Sequence, residues 1–468
     1  MLAAAIVGVS VPTAQARMAA GQQPLPLRTG LVDAPPDAPQ LRETGVTMLR
    51  IPIYWGAVAP SGSVEPTGFD PSNPADPAYN WADTDAMIEA TVAQGLQPII
   101  DVESAPLWAQ TGTPQPYYGA IQPDPQQLAQ FATAAAQRYS GSFNGLPRVR
   151  YWVLWNEPNL VYYLQPQYAN GQPFSPGWYR QMTNAFADAV HAVHSDNLVV
   201  AGETAPFTTS NGTGRDASSM APLAFMRSYF CLGKNLKPTC SSTVHIDAWS
   251  HHPYTSGGPT HHAALPDDVS LGDLPKMKAV LDAAWKYHRI QASKPPQFWV
   301  TEFSWDTDPP DPQAVPIHLQ ARWVAEALHV MWQNGISVVI WYSLFDDPMA
   351  SSRYQSGLFF APDASGKAEA KPALTAFRFP FVAYGKSGWL SVWGRTPTSH
   401  AGTVFVEQRS GARWVRVGQL RAAADGIFIG DLASHGRGLV RARTGSDTSL
   451  TFSLSVPPDH FYNPFGTS

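Results

Sequence analysis

Between about residues 25 and 380 the chain alternates two apolar patterns. Short runs dense in Val, Ile, Leu and Trp are each followed by a polar stretch, then by a segment whose apolar residues recur every three or four positions. Eight short runs stand out: 25–31, 46–53, 96–102, 150–155, 197–202, 245–250, 297–301 and 336–341. Several are apolar on consecutive positions, as in strands of a parallel sheet covered on both faces. Between them, Leu128, Phe131 and Ala135 form one helical stripe, and Met182, Phe186, Val190 and Val193 form another. Gly95 and the pair Asn334-Gly335 supply helix C-caps just before two of the runs. Strand, loop and helix repeated eight times predict a (β/α)₈ barrel.

The expected loops are lopsided. Those after strands are long, at 54–80, 103–123, 156–176, 203–218, 251–272, 302–315 and 342–371, whereas most helix-to-strand connections are short, 232–244 excepted. Long loops on the strand-exit face predict walls around a groove or pocket there. After residue 380 the texture changes to short alternating runs such as GTVFVEQRS (402–410) and RWVRVGQLRA (413–422). These predict a small antiparallel β-sandwich over 381–468, following a barrel over 24–380.

Composition narrows the picture. A chain of 468 residues, 44% hydrophobic, has room for one large domain and a smaller one. Net charge is −5, with no basic run, which argues against nucleic acid as a partner. The 16 Trp and 17 Tyr are expected mostly in the core, with some free to stack on sugars. Leu2 to Val11 is apolar and Ala14-Gln15-Ala16 fits a cleavage site, so residues 1–16 read as the remnant of a secretory signal and place the protein outside the cell. That run is too short to span a bilayer, it has no basic residue before Arg17, and no other segment reads as a membrane span. Cys231 and Cys240 would pair in an exported protein. Without nearby His or Asp they make a poor metal site.

The chemistry starts at YWVLWNEPNL (151–160), an apolar run that ends on a carboxylate. Glu157 follows the fourth strand and Glu302 ends the seventh, in FWVTEFSW (298–305). Strands four and seven face one mouth in a closed barrel. Two carboxyls across a pocket are the equipment for cleaving a glycosidic bond, one protonated to serve the leaving oxygen and one ionised to attack or to activate water.

WNEPN (155–159) and TEFSW (301–305) resemble clan A of the glycoside hydrolases, and within it the chain is most similar to family 39 and its bacterial relatives. The resemblance covers the barrel and not the C-terminal module. It implies that Glu157 is the acid/base and Glu302 the nucleophile of a retaining double displacement, with carboxyls about 5–5.5 Å apart rather than 6.5–9.5 Å. It implies that Asn156 binds the sugar 2-hydroxyl and that Arg50 sits beside the nucleophile and keeps it ionised. In WSHHPYT (249–255) it implies that Tyr254 hydrogen-bonds the nucleophile and that His252 orders its surroundings, with His251 the alternative should the register slip. Trp341 is implied as the floor of the sugar subsite. No metal or organic cofactor is required.

Other groups near the mouth are Asp101, Glu103 and Glu203, and of these Glu103 and Glu203 could bind hydroxyls or cap loops. Trp55, Trp108 and Trp305 could line subsites or pack. His261 and His262 read as a solvated loop. The expected partner is an oligosaccharide or polysaccharide; the sugar, exo or endo action and the oligomeric state stay open. The rival readings are a non-catalytic carbohydrate-binding relative and a transglycosylase that uses the same residues.

Overall fold

A computed structural model describes residues 26–113, 119–208, 219–349, 352, 354–386, 388–434 and 437–456. The secretory-signal reading of residues 1–16 lies outside the described residues. Eight parallel strands close a barrel: β1 (Arg28–Val32), β2 (Met48–Tyr54), β3 (Gln97–Glu103), β4 (Tyr151–Leu154), β5 (Leu198–Thr204), β6 (Ala248–His251), β7 (Gln297–Val300) and β8 (Ile336–Tyr342). β1 pairs with both β2 and β8, which completes the ring. Each of the eight predicted runs overlaps one of these strands. The repeat is weakest at its start, where the helix after β1 is a single turn, Leu41–Thr44. Full helices follow: α1 (Ala82–Ala93), α2 (Pro125–Arg138), α3 (Ser175–Val193), α4 (Pro222–Tyr229), α5 (Leu274–Lys286) and α6 (Ile317–Gln333).

Strand side chains alternate between the two faces of the sheet. One set points to the helices and joins the large core. The other fills the barrel and includes Met48, Ile99, Tyr151, Val153, Val200, Ala248, Trp299, Val338 and Ile340. Two residues further along several strands the inward positions turn polar. Met48 gives way to Arg50, Ile99 to Asp101 and then Glu103, and Ala248 to Ser250. The barrel is therefore an apolar plug at its base and a charged cluster at its exit face, which is where such barrels carry their chemistry.

After the barrel come a short helix, α7 (Pro372–Arg378), and the antiparallel strands β9 (Phe381–Lys386), β10 (Trp389–Arg395), β11 (Gly402–Ser410), β12 (Arg413–Ala422), β13 (Ile427–Ala433) and β14 (Leu439–Thr444). They form two sheets, β9-β10-β13 and one built on β12-β11-β14, as expected of a sandwich. The helix α6 is buried on both sides. Trp323 packs on Trp305 of the barrel, while His329 and Trp332 pack on Trp393 of the module. Arg322, also on α6, lies 3.9 Å from the Phe452 ring and donates to the Ser453 carbonyl at 3.0 Å. Cys231 and Cys240 are joined by a disulfide, as expected. Among the described residues no helix is long and apolar enough to cross a membrane.

A fully buried arginine pins the module to the barrel. Arg395 donates to the Leu27 carbonyl at 2.9 Å, to Thr29 Oγ1 at 3.1 Å and to the Phe377 carbonyl at 3.2 Å. Arg395→Met keeps the apolar stem and strands these acceptors, so unfolding should become easier by about 2–4 kcal/mol. Chemical denaturation of the purified variant reads this directly.

Candidate active site

The turn after β4 is set by backbone that L-residues rarely adopt. Trp155 (φ 67°) and Glu157 (φ 40°) are both left-handed. Such residues cost about 1–3 kcal/mol each and persist where the surroundings hold them. Here the surroundings do. The Trp155 indole donates to the Tyr163 carbonyl at 2.6 Å, and Glu157 N–H donates to the Glu203 carbonyl at 3.1 Å. Asn159 is buried and ties this turn to the exit of β5, donating to the carbonyls of Ala205 and Met220 and accepting from Ala205 N–H. The Asn-Glu-Pro-Asn stretch is thus a strained turn with a buried clamp, and it aims the Glu157 side chain into the mouth.

The exit of β5 is strained in the same way. Glu203 is left-handed at φ 47°, next to an irregularity in the β5–β6 register between Ala201 and Thr204. Irregularities of this kind re-aim a side chain. Glu203 is fully buried and accepts from Ser250 Oγ at 2.5 Å.

Arg50 sits at the centre. Its Nη1 donates to Glu302 Oε2 at 3.0 Å, and its Nη2 lies 2.7 Å from both Asp101 Oδ2 and Glu203 Oε2 and 3.2 Å from Asn156 Oδ1. The Tyr254 hydroxyl donates to the other oxygen of Glu302 at 2.6 Å. His252 bridges two acids, with Nδ1 at 3.1 Å from Glu157 Oε1 and Nε2 at 3.1 Å from Glu203 Oε2. Glu157, Glu302, Arg50, Asn156, Tyr254 and Glu103 all line one cavity of about 830 Å³.

Burial and neighbouring charge sort the acids. Burial pushes Glu157 up, with the Glu302 charge adding to it against the pull of His252 and Arg50. Burial would raise Glu203 too, but Arg50, His252 and Ser250 outweigh it and hold the group at about 2. Asp101 is lifted by burial to about 7 despite Arg50, and Glu103 by burial and the Asp101 charge to about 8. For His252 burial opposes the cation, yet Glu302, Glu157 and Glu203 together raise the ring to about 10. It is an imidazolium wedged between carboxyls.

Several expected positions are corrected. His252, expected to order the surroundings of Glu302, contacts Glu157 and Glu203. His251, the alternative, faces outward, with Nδ1 on Thr204 Oγ1 and Nε2 on the Val269 carbonyl, because adjacent strand residues point to opposite faces. The same alternation displaces Trp341. Val338 and Ile340 face the barrel interior, so Trp341 faces the helices, fully buried against Phe303 and Phe377 with its indole N–H on the Ser356 carbonyl. Tyr342, one residue on, faces the cavity in its place.

None of the other three tryptophans lines the cavity either. Trp55 is stacked on Phe131 in the core. Trp108 packs edge-on against Trp55 and donates to the Pro60 carbonyl, and Trp305 is buried with its N–H on the Thr255 carbonyl. Among the described residues the rings that line the mouth are tyrosines, namely Tyr54, Tyr163, Tyr254, Tyr342 and Tyr354. Strand parity was the available signal for two of them, since Tyr54 shares a face with Arg50, and Tyr342 with Ile340. Away from the mouth, His262 rests on Asp273 at 2.9 Å.

A closed eight-stranded parallel barrel with two glutamates lining one cavity at its exit face is an arrangement that fits the glycoside hydrolases of clan A. The family model for cellulase (glycosyl hydrolase family 5) matches residues 34–344, and the chain belongs to that family. Among solved structures the chain is similar to SrfJ from Salmonella typhimurium, at 9% identity and TM-score 0.51, with 88% of this chain and 90% of that one covered. It is also similar to a conserved exported protein from Bacteroides fragilis, at 13% identity and TM-score 0.50, with 88% and 98% covered. At such identities the likeness is one of fold alone. No curated protein matches the chain.

The His252 bridge has a pH signature. A folded value near 10 against an ordinary value near 6.5 means that its contribution to stability is complete below about pH 6.5 and is lost as pH rises through about 10. Glu203, depressed to about 2, contributes above its ordinary range and loses that only in strong acid. His252→Gln should therefore lower the melting temperature at pH 7. It should also make the decline from pH 7 to pH 10 shallower than in the wild type, as scanning calorimetry across that range would record.

Proposed function

We propose that this family 5 glycosidase is a retaining enzyme in which Glu302 is the nucleophile and Glu157 the acid/base. The observation that carries the reading is the unequal treatment of the two carboxyls in one cavity. Glu302 accepts from a guanidinium and a phenol, one on each oxygen, which suits an anion. Glu157 is pushed toward its protonated form by burial and by the Glu302 charge.

In the first step a Glu302 oxygen bonds to the anomeric carbon as the glycosidic C–O bond breaks, and the Glu157 proton goes to the departing oxygen. In the second, Glu157 takes a proton from water, the resulting hydroxide bonds to the anomeric carbon, and Glu302 leaves as a carboxylate. Tyr254 and Arg50 keep Glu302 in place through both steps, and Asn156, held by Arg50, faces the sugar.

The sequence motifs are nearest those of family 39, whereas the matching family model is that of family 5. Both belong to the clan, so the assignment of the two glutamates is the same under either. Residues 24–380 would form the catalytic unit and 381–468 a module packed against it. Export is supported by the Cys231–Cys240 disulfide, which fits an oxidising compartment. The substrate would be an oligosaccharide or polysaccharide.

Glu302→Ala should lower kcat on aryl glycosides by at least about 10³-fold. Azide should restore part of it and yield a glycosyl azide of inverted configuration; near wild-type rates in the variant would remove Glu302 from the role. NMR of the first-formed sugar should show the substrate's own anomeric configuration.

The acid must carry its proton, so kcat/KM should fall as pH rises through the elevated value of Glu157. Glu157→Ala should cost about 10²–10⁴-fold on poor leaving groups, less on activated aryl ones, and should erase that basic limb.

A further inference from the structure

Glu203 is fully buried at the end of β5, and its carboxylate reaches three partners. Oε1 accepts from Ser250 Oγ at 2.5 Å, and Oε2 lies 2.7 Å from Arg50 Nη2 and 3.1 Å from His252 Nε2. The left-handed turn at φ 47° gives the side chain this aim. Ser250 fixes the turn as well, since its Oγ accepts from Glu203 N–H at 2.9 Å.

A carboxylate sealed in this way meets no sugar. It meets the groups on which the two cavity glutamates rest. Glu203 holds Glu157 at two points. Its backbone carbonyl accepts from Glu157 N–H at 3.1 Å, and its side chain holds His252, whose Nδ1 lies 3.1 Å from Glu157 Oε1. On the other flank Arg50 carries the same frame to Glu302, with Nη1 at 3.0 Å from Oε2.

The state of the ring decides where the Glu157 proton sits. An imidazolium donates from both nitrogens, whereas a neutral imidazole donates from one and accepts at the other. With Nε2–H on a carboxylate, a neutral His252 would accept at Nδ1 and draw the proton onto Glu157 Oε1, away from a leaving group. As a cation the ring donates to Oε1, and the proton is left on Oε2. Burial opposes the cation, and Glu302, Glu157 and Glu203 hold the ring charged.

We infer that Glu203 is a positioning residue for the acid/base: through His252 and its own carbonyl it fixes Glu157 so that Oε2 presents the proton to the leaving oxygen, and through Arg50 it ties that geometry to the nucleophile. The inference rests on the roles proposed above for Glu157 and Glu302.

Glu203→Gln keeps the shape and removes the charge. It alters none of the other groups that face His252 or Glu157, namely Arg50, Asp101, His251, Tyr254, Glu302 and Tyr354. The test is kcat/KM on aryl glycosides graded by the acidity of the departing phenol. The variant should lose about 100-fold on weakly acidic phenols, the scale of a misplaced catalytic group. It should lose less than about threefold on dinitrophenol, which departs without a proton. A merely structural role would lower both alike. NMR of the ¹⁵N-labelled His252 ring should show it losing its proton at least about one pH unit below the wild type. Ser250→Ala keeps the charge and removes both of the serine's bonds to Glu203, so it serves where Glu203→Gln does not fold. It should cost about tenfold, on the weakly acidic phenols alone.

Equal losses on good and poor leaving groups overturn the inference, and so do wild-type values on both or a wild-type ring titration in Glu203→Gln. Glu157→Ala on the same series separates the two readings. If it shows no dependence on the leaving group, the assignment of Glu157 has failed and this inference with it. If it shows that dependence and the Glu203 and Ser250 variants do not, this inference alone has failed.

Discussion

The exit face of the barrel is organised around one guanidinium. Arg50 is buried at 4% exposure and touches groups from the ends of four other strands: Asp101 from β3, Asn156 after β4, Glu203 from β5 and Glu302 after β7. A buried charge of this kind is tolerated only when its donors are matched. The match here draws the ends of four strands toward a single point. Removing the arginine would leave three acids without their shared cation in a site of low polarity, and the strand ends that carry them would lose their common anchor. The positions of Glu302 and Asn156 are therefore consequences of Arg50 before they are features of any substrate.

Backbone strain does the complementary work. Ser104, Trp155, Glu157 and Glu203 all take left-handed conformations just past, or at the end of, a barrel strand. None is glycine, and each turns the chain sharply where a regular strand would have continued out of the mouth. What holds them is packing underneath. The Tyr179 hydroxyl donates to the Leu154 carbonyl and accepts from Gly202 N–H, so one buried phenol braces the ends of β4 and β5 together. The large aromatic content anticipated from composition is spent here, on rigid walls behind the site, more than on surfaces for sugars.

This explains which parts of the site were legible in the sequence. The strands were, because parallel barrel strands are continuous apolar runs. Glu157 and Glu302 were, because a carboxylate closing such a run has few structural reasons to be there, whereas Arg50 and Tyr254 were reached only through the resemblance to clan A. The tryptophans were not. A Trp just past a strand reads equally well as platform or core, and strand parity, which turns Trp341 toward the helices and Tyr342 toward the cavity, decides only when a strand's exact start is known. The partner of His252 was hidden for a different reason. Its contact with Glu203 joins β6 to an irregular turn at the end of β5, and no periodicity in the chain announces that turn.

The cluster also distributes its protons by a simple rule. Five acids, Asp101, Glu103, Glu157, Glu203 and Glu302, share two buried cations, Arg50 and His252, so they cannot all be ionised at once. Where the protons settle follows the supply of donors. Glu203 has Ser250, Arg50 and His252 and lies at about 2; Asp101 has Arg50 alone and lies at about 7; Glu103 has none and lies at about 8. Glu157, with His252 as its one partner, is raised as well. An acid that must give up a proton during the reaction is therefore prepared by withholding donors from it, and it needs no dedicated group to protonate it. The same shortage of cations among the described residues leaves Glu157 raised.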